Sequence, residues 1–283
     1  MRNEDKTIGN VVVQTARRNG VRAMTEAPLI FTSDYYARMR SLEATSWWNA
    51  GMRDIAAAML ARAQLPRIGS MLDIGCGSGQ TMQWFGAGNR GWKMAGLDLA
   101  PEGVAAARAA GLAVLTGTAL HLPFMNQTAD LVVTLDVLQH LPLPDGDSQC
   151  LRELSRVLRP GGYLFVRTNC QSIPRATEDP VHNFKTYEPS ELASKLRAAG
   201  FEIVLLSRAN AILGFAEVAR ELRAIKNTGP GYHGILAVPG NTDGLAYSAK
   251  RGMLRAEGRL ISSGISLPLG RSIVALCRRP AGA

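Results

Sequence analysis

An α/β fold on a mainly parallel, doubly wound sheet is what this sequence predicts, and three observations predict it. Between about residues 70 and 210, short apolar runs alternate with amphipathic stretches, the pattern of strands crossing over through helices. The runs are apolar almost throughout, as strands covered on both faces must be. The first run ends in clustered glycines and the second in an acid, the arrangement of a ligand crevice at strand tips.

The elements follow in order. Strands are expected at 70–74 (SMLDI), 93–99, 112–116, 131–135 and 163–166, with a later one at 201–206. Between them, the Ala-rich stretch 102–110 favours helix. Leu151, Leu154, Val157 and Leu158 recur at helical spacing before Arg159-Pro160-Gly161-Gly162 stops that helix. A helix over 188–199 ends at Gly200. The N-terminal part carries Tyr35, Tyr36, Trp47, Trp48 and Arg53 on helical sequence. Residues 211–268 begin helically, then run through Gly- and Pro-broken sequence, and 272–277 (SIVALC) returns as a last strand. The expected organisation is an N-terminal helical lid at 1–65, a core at 66–210, a cap insertion at 211–268 and the final strand at 269–283.

Composition narrows the function classes. A chain of 283 residues, 46% hydrophobic and 19% charged, is neither a disulfide miniprotein nor disordered. No apolar run approaches the ~20 residues of a membrane span, and the start lacks a signal peptide's apolar core; a cytoplasmic protein is expected. Cys76, Cys150, Cys170 and Cys277 lie far apart with no histidine at ligand spacing, so reduced thiols and no metal are expected. The net charge is +9, most of it after residue 200, where 11 bases meet 5 acids. That excess suits an acidic substrate, an RNA or a membrane surface, although 26 of the 32 bases are Arg in an Ala-rich chain, which genome base composition also produces.

The most informative stretch is Leu72-Asp73-Ile74-Gly75-Cys76-Gly77-Ser78-Gly79, a strand running into a loop and then a helix near Gln80. Glycines let a ligand touch backbone there, and the helix start presents a partial positive end. The spacing is G-x-G-x-G, which argues against a nicotinamide dinucleotide enzyme, and there is no P-loop lysine. Asp98 closes the next strand, 19 residues beyond Gly79, where a carboxylate can accept both hydroxyls of a ribose.

With Asp98, the segment 117–124 (GTALHLPF), the strand 129–136 and Leu158-Arg159-Pro160-Gly161-Gly162, the order of motifs resembles the class I S-adenosylmethionine-dependent methyltransferases over roughly residues 45–210 and 270–279. The resemblance implies a Rossmann-like sheet of seven strands, the last antiparallel, with helices on both faces. It implies that Gly75, Gly77 and Gly79 pack against the methionine and ribose parts of S-adenosylmethionine, that Asp98 holds the ribose diol, and that the 117–119 turn edges the adenine. Cys76, Leu99 and Leu135 fall in the same cofactor-binding shell, with Asp73 near the methionine amino group and Arg53 either paired to its carboxylate or simply solvated. Thr118 is a departure, because many relatives carry an acid there; that contact is then either weaker or supplied by the backbone at Ala119.

Methyl transfer is an in-line displacement governed by positioning, with a base needed only for a protonated nucleophile. The reaction edge is expected at Thr134-Leu135-Asp136-Val137-Leu138-Gln139-His140. If a helical turn follows the strand, Asp136 and His140 lie four apart on one face, where the carboxylate could orient an imidazole base and raise its pKa. Otherwise His140 caps or packs that turn. His182 and Tyr187 lie where the family often places acceptor contacts, and Tyr36 and Trp48 either stack an acceptor or pack in the core. His121 and His233 carry less information. A small-molecule acceptor is favoured over RNA or protein, and a non-catalytic S-adenosylmethionine-binding protein is the rival from another class. The methylated atom and the oligomeric state stay open.

Overall fold

The computed structural model describes residues 6–8, 11–13, 46–170, 185–211 and 244–282. Tyr35, Tyr36, His182 and His233 lie outside the described residues. Seven strands form one sheet: β3 (Ser70–Ile74), β4 (Lys93–Asp98), β5 (Val114–Thr116), β6 (Ala129–Leu135), β7 (Leu158–Asn169), β8 (Glu202–Ala209) and β9 (Ser272–Arg278), in the order β5-β4-β3-β6-β7-β9-β8. The pairs from β5 to β7 are parallel, and β9 slots between β7 and β8 antiparallel to both. The order reverses between β4-β3 and β6, so the tips of β3 and β6 flank the switch-point crevice.

Side chains alternate between two apolar layers, as the period of two demands. Leu72, Ile74, Val132, Leu164, Val166, Ile273 and Ala275 join one cluster with α4 (Gly146–Val157) and α5 (Pro189–Ala198). Met71, Leu131, Val133, Phe165, Val274 and Leu276 join the other with α1 (Trp47–Leu60), α2 (Gln80–Gly88) and α6 (Leu245–Ser262). The remaining helix, α3 (Pro101–Ala109), packs Val104 and Ala107 near Val114 of β5.

The structure corrects four expectations. The N-terminal region is not wholly helical: Lys6–Ile8 (β1) and Val11–Val13 (β2) pair antiparallel, and α1 belongs to a core layer, with Ile55 and Met59 fully buried. The described part of the expected cap is likewise a layer helix, α6, and it meets α1 through a glycine of each helix, Gly258 and Gly51. A Cβ on Gly258 would come within 3.0 Å of the Ile55 Cα, and one on Gly51 would strike Leu254. Glycines that signal a break in isolation here permit two helices to cross closely. β5 starts two residues late because Leu112 still donates to Ala107 O, closing the end of α3. β7 begins at Leu158, since Arg159–Gly162 forms an irregularity in the ladder opposite Ala129–Leu131.

Candidate active site

Gly75, Gly77 and Gly79 adopt φ of +80°, +50° and +82°, a region that side-chain-bearing residues avoid. Two hydrogen bonds tie this loop to the neighbouring strand: Gly75 N and Cys76 N both donate to Leu97 O, at 2.7 and 3.1 Å. Asp98, 8% exposed, completes the crevice. Its Oδ2 accepts from Gly77 N at 2.7 Å and its Oδ1 from Ala100 N at 2.9 Å. Leu99 is half-buried beside it and Asp73 is buried within β3. Burial, together with the charges of Asp73 and Asp98, pushes the Cys76 thiol far above its ordinary pKa, so it stays protonated and is no nucleophile.

The turn after β5 is braced from α4. Gln149 Nε2 donates to Leu120 O, Arg156 donates to Leu122 O and Phe124 O, and Glu153 Oε2 accepts from Leu122 N at 2.7 Å. Burial pushes the Glu153 carboxyl up, but Arg156 and the Leu122 amide outweigh it and hold the group below the usual carboxylate range. Thr118 Oγ1 accepts from Leu120 N, so it shapes its own turn, with Ala119 buried behind it. His121 is exposed beside Gln149.

At the reaction edge, half-buried Leu135 ends β6 and Asp136 follows with φ +57°, an uncommon conformation for a non-glycine residue. Its N–H donates to Arg167 O, and its carboxylate receives Arg167 Nε at 3.1 and 3.2 Å and Nη2 at 2.5 Å. The Arg167 guanidinium lies 4.8 Å from the Trp48 ring centre, a cation–π stack. Trp48 (α1), Asp136 (just after β6) and Arg167 (β7) therefore meet at the strand tips. Val137 is the side chain that a Cβ on Gly75 would strike, which joins this cluster to the glycine loop.

His140 sits in a single 3₁₀ turn, Leu138–His140, and here another expectation fails. Burial lowers its pKa to about 4, and the Asp136 charge only partly opposes that. The carboxylate is committed to Arg167, and the rise it gives the imidazole is smaller than the drop that burial imposes. Tyr187, expected at the acceptor, is fully buried, and its hydroxyl donates to Asp147 Oδ2 at 2.9 Å. Arg53 donates Nε to Asn49 O one turn back along α1.

The spacing of motifs did not single out Arg167, Gln139 or Asp147. Gln139 Oε1 accepts from Thr168 Oγ1 and Asn169 N, and its backbone carbonyl accepts from Lys185 N. Asp147 receives Lys185 Nζ at 2.9 Å and Lys195 Nζ at 3.0 Å. The network holds the turn after β6 against the end of β7. Burial alone would raise the Asp147 carboxyl, but Lys185, Lys195 and the Tyr187 hydroxyl bring it down to about 2. A depressed folded-state pKa stabilises above the ordinary value near 3.8 and is lost as pH falls through about 2. Asp147→Asn is therefore expected to cost about 1–2 kcal/mol at pH 7, a figure moderated by water reaching both lysines. Urea unfolding at pH 7 and pH 3 checks this; a penalty that does not shrink at the lower pH contradicts it.

Comparison with known proteins identifies the class. Residues 72–166 match the family model described as a methyltransferase domain. A ubiquinone biosynthesis O-methyltransferase of Azoarcus sp. (strain BH72) is 29% identical over 161 residues, covering 48% of this chain and 66% of that protein. One of Xanthomonas oryzae pv. oryzae is 29% identical over 192 residues, covering 56% of this chain and 77% of that one. Among solved structures, Haemonchus contortus phosphoethanolamine N-methyltransferase 2 in complex with S-adenosyl-L-methionine aligns with a TM-score of 0.59 at 16% identity, over 95% of this chain and 63% of that one. The [4+2]-cyclase SpnF aligns at 0.52 and 23% identity, over 81% of each. Over residues 72–166 the chain carries a methyltransferase domain, and its likeness to the solved structures is one of fold. The cyclase shares the fold, so the particular chemistry has to be argued from the site.

Proposed function

We propose that the chain binds S-adenosylmethionine across the Gly75–Gly79 loop and transfers its methyl group to a hydroxyl of a small molecule. The observation that carries this is the juxtaposition of three left-handed glycines with the Asp98 carboxylate at the switch point. The Asp98 oxygens accept from Gly77 N and Ala100 N, and a carboxylate with about four lone-pair sites suits the two ribose hydroxyls. A Cβ would fill the cradle at Gly75. Asp73, Cys76 and Leu99 complete that side, Leu135 and Arg53 border the methionine end, and the Thr118–Ala119 turn borders the adenine. Both curated relatives described above are named O-methyltransferases, which supports oxygen as the accepting atom.

When bound, the cofactor supplies an electrophilic methyl group on a sulfonium. The chain's own residues do the rest. Trp48, Arg167 and Asp136 form a rigid wall at the tips of β6 and β7, against which an acceptor is oriented. His140 is neutral at physiological pH and takes up the hydroxyl proton. A base this weak suits a hydroxyl that is itself acidic, such as a phenol, better than an aliphatic alcohol.

Calorimetry with S-adenosylmethionine, S-adenosylhomocysteine and NAD, followed by methyl transfer to a panel of phenols, alcohols and amines, tests the reading. Binding of NAD alone would overturn it. With a phenol acceptor, His140→Gln is expected to lower kcat by about 10–50-fold with S-adenosylhomocysteine affinity unchanged. The wild-type acidic limb should fall near pH 4, where His140 protonates. A wild-type rate in that variant would remove His140 from the reaction.

A further inference from the structure

The helix α6 is amphipathic towards the core and a second time towards the outside. Leu254, Glu257, Gly258 and Ile261 are buried. On the opposite side Leu245, Ala249, Met253, Ala256 and Leu260 follow at intervals of three and four residues, and all five are exposed, Leu245 by 92%, Met253 by 41% and Leu260 by 44%. Such intervals place them in one stripe along the helix, about 27 Å long for a helix of this length. Beyond the helix, Ile265 N donates to Leu260 O and Gly264 N to Ile261 O, with Gly264 at φ +96°. This termination folds the chain back towards the last turn, so exposed Ile265 extends the stripe at Leu260.

The charges beside the stripe are mainly positive: Lys250, Arg255 and Arg259 are exposed, Lys250 lies 5.3 Å from the Trp47 ring centre, and Arg255 shares Asp54 of α1 with Arg251. Glu257, the single acid of the helix, is buried and accepts from Asn210 N and Ala211 N. Among the described residues the cations beside this stripe outnumber the acids, so pairing with a second copy would bring those cations together. It complements an anionic lipid surface, where Leu, Met and Ile side chains enter the headgroup boundary and the cations stay at headgroup level.

We infer that the outer face of α6, from Leu245 to Leu260 and on to Ile265, is a docking surface for an anionic membrane, on which the helix lies without crossing. Among the described residues no helix is long and apolar enough to cross.

The test is flotation of the full chain with vesicles of phosphatidylcholine alone or mixed equally with phosphatidylglycerol, at low and high salt. Flotation is expected with the anionic vesicles and weakens with salt. The double variant Met253→Glu, Leu260→Glu should lower partitioning at least about tenfold, and Arg259→Glu roughly fivefold or more. Ile68→Glu changes a 68% exposed side chain in the connection before β3 and should leave partitioning unchanged. All these positions are exposed, so melting curves should stay native. Equal flotation with both lipids, equal loss in Ile68→Glu, or no flotation would each overturn the inference. So would a dimer in sedimentation that Leu260→Glu dissolves, since the face would then meet a second copy.

Discussion

Gly75→Val is expected to abolish S-adenosylhomocysteine binding, weakening it by about 10³-fold or more. Two costs combine. At φ +80° a β-branched residue pays well above the ~1–2 kcal/mol that left-handed backbone costs an ordinary L-residue. The new Cβ also strikes Val137, so either the loop lifts from Leu97 or the tip of β6 moves, and each displaces groups that the ligand needs in place. The double variant Gly75→Ala, Val137→Ala separates the two costs. It removes the collision and keeps the dihedral strain, and should recover about a tenth of wild-type affinity or more. Calorimetry reads both variants. Wild-type affinity in Gly75→Val would reduce the glycine loop to a turn and end the cofactor assignment.

The parts legible in the sequence are those governed by local rules. β3, β4, β6 and β9 follow from continuous apolar runs, and the crevice follows from glycines after one strand and an acid after the next. What escaped depends on partners far along the chain. Arg167 directly follows the expected strand 163–166, and only the sheet order brings it to Asp136 and Trp48. Asp147 gains its importance from Lys185 and Lys195, which are 38 and 48 residues away. Tyr187 has an amphipathic side chain that suits a binding pocket or a core equally, and Asp147 decides for the core. The glycines of α6 suggest breaks until Ile55 is seen against one of them. The pKa of His140 shifts opposite to the expected direction for the same reason: four residues separate it from a carboxylate, but burial outweighs that charge, and burial is not written in spacing.

Asp98→Ala is expected to weaken S-adenosylhomocysteine binding by about 100-fold, near 3 kcal/mol, the scale of charge-assisted hydrogen bonds to two hydroxyls. The carboxylate also anchors the loop through Gly77 N and Ala100 N, so the variant leaves two backbone donors without their acceptor and should lose about 1–2 kcal/mol of stability without ligand. The two effects part in Asp98→Asn. The amide oxygen still accepts one backbone N–H while the NH2 group faces the other, so only part of the stability returns, and the neutral amide offers a weaker acceptor and a donor to the ribose, so affinity stays low. Calorimetry beside ligand-free thermal unfolding distinguishes the roles. Low stability with intact affinity would make Asp98 a loop anchor alone. Intact stability with lost affinity would mean that the loop is held by Gly75 N and Cys76 N on the Leu97 carbonyl, leaving the carboxylate wholly to the ribose.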